Sequence, residues 1–254
     1  MSPWSLPRPV GDRAPLSSIR AVTRSGSLLY VTQCAPYRTG MAGVHGVLPQ
    51  SAIGVAEVAS AAGLDTRVVN DVRDLEPGAI ASARVVALFT IGETPWRDDQ
   101  KAELLDGVRA GRTSIVAIHA ATDSCYGWDD YGQLVGARFD GHPWTQDVEL
   151  DVLEPSHPAL RHLGPTWRMR DEVYQFRDLR PDARILLRVP DDQLDHTVPG
   201  AKRPAFGFPL SWCFTEGSGR VFSTTLGHFP HAWELPGYLD HLAGGLAWTL
   251  GDGD

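Results

Sequence analysis

Cysteine is scarce in this chain. Three thiols, Cys34, Cys125 and Cys213, lie far apart in 254 residues with no CxxC pair, which leaves a disulfide framework and a thiolate zinc site without support and suits a reducing compartment. Lysine is scarcer: only Lys101 and Lys202 among 23 basic side chains, set against 31 acidic ones for a formal charge of −8. The arginines that make up the rest are scattered, so no basic footprint marks a nucleic-acid partner. No apolar run approaches the roughly 18 residues of a membrane span, and the opening MSPWSLPRPVGDRAPLSSIRAV lacks the apolar core of a signal peptide. A cytoplasmic protein with no membrane partner is expected. What the chain does have is 43% hydrophobic residues with 26 Gly and 19 Pro, enough core for one α/β domain with a surface rich in loops.

The Pro-, Ser- and Arg-rich residues 1–26 read as an N-terminal arm, and residues 27–254 as a single domain. Short apolar runs at Ser27–Thr32, Thr66–Val69, Val85–Phe89 and Ser114–Ile118 predict strands. Between them, helical spacing over Leu48–Ala62 ends at Gly63, and over Asp98–Ala110 at Gly111. Strands that are continuously apolar and alternate with helices predict a mostly parallel sheet covered on both faces. Beyond about residue 145 the rhythm changes to antiparallel: strands at Val148–Val152 and Ile185–Val189, a hairpin around Glu216–Gly219, and a closing helix over Tyr238–Leu250.

The segment Ser114–Ile118 followed by His119-Ala120-Ala121-Thr122-Asp123-Ser124 carries the chemistry. A polar residue directly after a buried parallel strand projects at the carboxyl edge of the sheet, where ligands bind. A strand, a sharp turn and small residues also describe a nucleophile elbow, which presents Ser or Cys in acyl-transfer enzymes. Here the residue is His, able to act as base, hydrogen-bond donor or metal ligand, so a cysteine-dependent amidase mechanism loses its nucleophile. Cys125 lies beyond the elbow and is a poor substitute.

His119–Ser124, Gly141-His142-Pro143-Trp144, Asp171-Glu172-Val173-Tyr174-Gln175-Phe176 and Thr224-Thr225-Leu226-Gly227-His228 together resemble, in order and spacing, the trehalose-utilisation (ThuA-like) family over about residue 27 to the carboxyl end. The resemblance implies a flavodoxin-like sheet similar to class I glutamine amidotransferases, with His in place of the elbow cysteine. It also implies a role in the handling of disaccharides such as trehalose, often beside a sugar-oxidising dehydrogenase. The chain departs from the family after the first strand, where Thr32-Gln33-Cys34-Ala35-Pro36-Tyr37 replaces a Gly-rich, His-containing loop, and His45 is a candidate for the missing histidine.

Gly141–Trp144 reads either as a turn that presents an imidazole and an indole to a sugar ring, or as a structural turn with Trp144 in the core. If Asp171–Phe176 is extended, Glu172, Tyr174 and Phe176 share one face and Asp171, Val173 and Gln175 the other, so one carboxylate faces the cleft. Gly227 reads as a place where backbone approaches a ligand. The expected catalytic residues are His119, Glu172 and His228; Asp123, Ser124, His142, Trp144, Tyr174, Gln175 and His231 are expected to contact substrate. His119, His142 and His228, with Glu172 or Asp123, could hold Zn²⁺ or Mn²⁺, since neutral imidazoles with a carboxylate suit such ions. No nucleotide cofactor is indicated. His157, His162, His196 and His241 fall at turn or helix-surface positions and read as structural.

These readings favour an enzyme acting on a carbohydrate or related polyhydroxylated molecule, a 3-keto sugar being one form. The alternative is a non-catalytic ligand-binding or partner module on an amidotransferase-like scaffold, which has no need of several titratable groups at one cleft. Apolar helix faces would also allow a homodimer.

Overall fold

The computed structural model describes residues 26–40 and 45–253, so the arm expected over residues 1–26 lies, but for Gly26, outside the described residues. Four parallel strands come first: β1 (Ser27–Cys34), β2 (Asp65–Val69), β3 (Val85–Ile91) and β4 (Ser114–Ile118). They are joined by α1 (Leu48–Ala61) and α2 (Asp98–Arg109), and followed by a short α3 (Asp129–Val135). The second half supplies β5 (Arg138–Phe139), β6 (Trp144–Val152), β7 (Thr166–Val173), β8 (Phe176–Arg177), β9 (Arg184–Val189), β10 (Phe208–Glu216), β11 (Gly219–Thr224) and α4 (Pro236–Thr249).

Nine strands form one sheet in the order β2-β1-β3-β4-β11-β10-β9-β6-β7, and β5 pairs with β8 apart from it. β11 lies parallel to β4 and so takes the fifth place of a flavodoxin-like 2-1-3-4-5 sheet, while its hairpin partner β10 begins the antiparallel wing. β3 and β4 are buried at every position, as strands covered on both faces must be. α1 and α4 pack on each other, with Gly245 against Phe222 and His241 against Thr224 of β11. α3 reaches the opposite face, where Ser223 donates to the Val135 carbonyl at 2.8 Å. Among the described residues no helix is long and apolar enough to cross a membrane.

α1 stops at Gly63, whose φ of +75° only glycine adopts without strain and which lets the Leu64 amide return to the Ala59 carbonyl at 2.9 Å. Gly63→Ala is expected to destabilise the fold by about 1–2 kcal/mol, the penalty of a Cβ in the left-handed region, measured as a lower urea midpoint at unchanged slope.

Three expectations need correction. β6 starts at Trp144 rather than Val148, so the Gly141–Trp144 turn ends inside a strand. β7 and α3 were not expected; β7 carries Arg168 and Arg170 on its exposed side, and α3 is seven residues opening on Asp129 and Asp130, patterns that hide an apolar face. His157 and His241 are fully buried rather than at the surface.

Candidate active site

The β4 strand delivers His119 to the carboxyl edge of the sheet with a left-handed backbone, φ +47°, the strained geometry of an elbow. The side chain is 0% exposed. Its Nδ1 lies 2.8 Å from the Thr225 carbonyl; a carbonyl only accepts, so Nδ1 carries the proton and Nε2 presents a lone pair. Around that lone pair stand His45 Nε2 at 3.1 Å, His228 Nδ1 at 3.1 Å and the Tyr174 hydroxyl at 3.0 Å. His45 comes from the loop after β1 and His228 from the loop after β11, while Phe89 of β3 lies edge-on beneath His45 and His119. Burial, reinforced by the neighbouring imidazoles, lowers His45 to about 4 and His119 well below the usual imidazole range. Burial also lowers His228, with the Glu172 charge working the other way.

The adjacent acids of β7 part company. Asp171 turns inward, fully buried, and accepts from the amides of Gly227 at 2.7 Å, Glu172 at 2.9 Å and His228 at 3.3 Å. Burial pushes it up to about 7 against the pull of those three N–H groups. It ties β7 to the loop that carries His228. Glu172 faces the cluster, 3.3 Å from His228 Nδ1, 3.6 Å from His119 Nε2 and 3.5 Å from His142 Nδ1. Glu172 and Tyr174 thus share a face as the two-residue strand period requires.

Of the other expected contacts, His142 sits at the rim, its side chain 43% exposed and held near the cluster through Glu172 rather than at the imidazoles. The triad able to hold a metal is His45, His119 and His228, whose nitrogens lie within 4.8 Å of one another; His45 takes the place expected for His142. Asp123 accepts from the Tyr37 and Tyr126 hydroxyls, each at 2.5 Å, and burial raises its pKa. Ser124, Trp144 and Gln175 are buried and bonded to other parts of the protein. Ser124 is 2.9 Å from the Thr90 hydroxyl, the Trp144 indole donates to the Asp195 carbonyl at 2.9 Å, and Gln175 spans the Gly200 carbonyl and the Lys202 amide. His231 is exposed, stacked on Phe229, and lines a separate cavity with Arg168 and Glu149. Gly227 allows close approach to Tyr238, whose hydroxyl would lie 2.3 Å from an added Cβ. Cys125 is buried, 2.9 Å from the Thr94 hydroxyl, and burial pushes its thiol up to about 11, which removes it as a nucleophile.

The histidines do not satisfy one another by hydrogen bonding. One lone pair on His119 cannot accept from three donors, and the buried Nδ1 of His45 has no partner. A cation among the nitrogens would resolve the excess, and two tetrahedral zinc-bound imidazoles stand about 3.3 Å apart, given Zn–N bonds of about 2.0–2.1 Å. The Thr225 carbonyl already supplies the outer hydrogen bond that fixes a ligating histidine's tautomer. The donor set therefore fits Zn²⁺ or a related divalent ion.

The fold is a flavodoxin-like sheet with histidine, not cysteine, on the elbow after its fourth strand. The profile of the ThuA family, described as trehalose utilisation, matches residues 37–249, and the chain belongs to that family. No curated protein matches it. Among solved structures, a ThuA-like protein from Bacteroides uniformis shares 16% identity at a TM-score of 0.70, covering 96% of this chain and 95% of that one. A ThuA-like protein from Parabacteroides merdae shares 18% at 0.70, covering 89% and 90%. The cytoplasmic protein STM3548 from Salmonella typhimurium shares 12% at 0.58, covering 88% and 98%. At these identities the likenesses speak for the fold.

The strand period sets Asp171 on the face away from Glu172, but without its role of holding the loop that carries His228. Tyr37 and Tyr126 were given no place at the site, and nothing local marked them.

Proposed function

We propose that the chain is a cytoplasmic enzyme acting on a carbohydrate or related polyhydroxylated small molecule, a 3-keto sugar in the favoured case, by His and carboxylate acid–base chemistry assisted by Zn²⁺ or Mn²⁺. The observation that carries this reading is the convergence of His45, His119, His228, Glu172 and Tyr174 on one point at the carboxyl edge of the sheet. A binding module has no use for so many titratable groups in one place, and the trehalose description of the family favours a sugar.

The base is Glu172, beside the half-exposed ring of His142 at the mouth of the cleft; His119, without exposed surface, acts through its neighbours. In a 3-keto sugar the ketone acidifies the adjacent carbon. Glu172 takes that proton: the C–H bond breaks, an O–H bond forms on the carboxylate, and the electron pair moves to the carbonyl oxygen as an enolate. When bound, a divalent ion held by His45, His119 and His228 supplies positive charge for the developing oxyanion. His142, 3.5 Å from Glu172, is placed to pass that proton on at the mouth of the cleft. In elimination the enolate pair re-forms C=O, C=C forms, the C–O bond to the glycosidic oxygen breaks and that oxygen takes the proton; in isomerisation the proton goes to the enolate oxygen and an enediol forms. Incubation of the wild-type protein with 3-ketotrehalose, with and without Zn²⁺ or Mn²⁺, tests the reading by following, by chromatography, the consumption of 3-ketotrehalose and the release of glucose or an isomeric keto-sugar. Metal-dependent turnover is expected; stoichiometric binding without turnover would establish the non-catalytic module instead.

A further inference from the structure

Beside the histidine cluster lies a cavity of about 440 Å³ lined by Tyr37, Glu93, Asp123, Tyr126, Phe139 and Gly141, a size ordinary for a small-molecule site. It adjoins the cluster directly. The Phe139 ring is 4.7 Å from Tyr174 and 5.7 Å from His142, and the Asp123 carboxyl feels the charges of both His142 and Glu172. Its wall is rich in acceptors. Tyr37 and Tyr126 each commit their proton to Asp123, so their oxygens are left facing a ligand with lone pairs. Glu93 takes the Gly127 amide at 3.2 Å through Oε2, but its Oε1 is buried with no partner, an acceptor waiting for a donor. The aromatic face of Phe139 suits the apolar side of a ring whose rim carries hydroxyls, while Arg138 and Arg177 each lie 5.5 Å from the centre of the Tyr126 ring, which offers its hydroxyl oxygen. One cation, the exposed Arg38, lines the cavity, while Lys202 lies 2.6 Å and Arg177 3.7 Å from Asp140.

We propose that this cavity is a second subsite, which takes a neutral polyhydroxylated ring joined to the group held at the histidine cluster and refuses an anionic one such as a sugar phosphate. Glu93 and Asp123 accept from hydroxyls, Phe139 covers a ring face, and a phosphate would meet the three acidic residues Glu93, Asp123 and Asp140 against a single lining cation, Arg38. The inference rests on the function proposed above.

Calorimetric titration of the full chain with trehalose, glucose and trehalose 6-phosphate tests it, using wild type, Glu93→Gln, Tyr126→Leu and, at the cluster, Glu172→Gln. Trehalose is expected to bind at least about tenfold more tightly than glucose, and Glu93→Gln to remove that advantage while glucose affinity stays unchanged, because a hydrogen bond to a charged group is lost. Trehalose 6-phosphate is expected to bind more weakly than trehalose. The subsite is overturned, and the function reading kept, if both neutral sugars bind and respond to Glu172→Gln but trehalose has no advantage, or keeps it in Glu93→Gln and Tyr126→Leu. Trehalose 6-phosphate binding as tightly as trehalose overturns the charge preference. If neither neutral sugar binds the wild-type protein, the function reading falls and the subsite with it.

Discussion

Glu172→Gln is expected to lower turnover of a 3-keto sugar by about 10²–10⁴-fold, the range lost with a positioned acid or base, while leaving the bound metal in place. The amide keeps the shape of the carboxylate and its place 3.3 Å from His228, but it cannot accept a proton. His119→Ala is expected to give the complementary signature. It removes the nitrogen that stands 3.1 Å from both His45 and His228, so metal content by mass spectrometry falls towards zero and turnover falls with it. Losing an outer hydrogen bond to a ligand already costs about 10–100-fold in affinity, and losing a ligand costs more. His119→Gln, which keeps most of the buried volume, separates this from a failure to fold. Wild-type rates in Glu172→Gln would remove it as the base; metal lost in that variant would make it a ligand instead.

The parallel half of the sheet was legible because burial on both faces writes itself as unbroken apolar runs. Val85–Phe89 and Ser114–Ile118 carry no polar side chain after the opening Ser114, and helices of the right length stand between the strands. The antiparallel wing was harder. β7 has only one face against the core, and its exposed positions Thr166, Arg168 and Arg170 interrupt the pattern at every second residue. Trp144 could be read as ligand or core because a single sequence does not say where β6 begins. Paired with Val173 and with its ring against Phe208 and His196, it belongs to the core.

At the site, residues that follow directly on a strand or share its face were legible, whereas His45 was named as a candidate loop histidine but not as a ligand, and Tyr37 and Tyr126 were given no role. His119 follows a strand and Glu172 shares a strand face with Tyr174, so both could be argued from neighbours in sequence. His45 reaches the cluster only because its loop folds over the end of β3, where Phe89 meets its ring at 5.5 Å. No spacing rule encodes that approach, and His142 was preferred as a ligand on residue type alone. Tyr37 shows the same limit: its hydrogen bond to Asp123 joins positions 86 residues apart.

The protein is expected to lose stability steeply as the pH falls from about 6.5 towards 4. His241 of α4 is fully buried and satisfied only when neutral: Nδ1 donates to the Ala159 carbonyl at 3.1 Å and Nε2 accepts from the Thr224 hydroxyl at 3.2 Å. Burial pushes it down to about 3. His157 accepts the Ala159 amide at 3.2 Å and is lowered to about 4 by burial and by the arginines at 184, 161 and 220. Unfolded, both titrate near 6.5. Their depressed folded values therefore contribute stability that is complete above about pH 6.5 and is lost as the unfolded chain takes up protons the folded chain refuses. Asp171 works in the opposite sense: raised to about 7, it holds a proton that the unfolded chain gives up above about pH 4, so its contribution grows as the pH falls. Asp123, also raised by burial, works in the same sense as Asp171, but His45 and His119, both lowered by burial, join His241 and His157, so four histidines stand against two carboxyls. Urea unfolding at pH 7, 6 and 5 is expected to lose about 1–3 kcal/mol per pH unit. His241→Gln can keep both hydrogen bonds without titrating, and is expected to reduce that slope by about 1 kcal/mol per unit. A flat profile between pH 7 and 5 in the wild-type protein would mean that the buried imidazoles gain protons within the folded state, and would break the link between their burial and the acid limit of the fold.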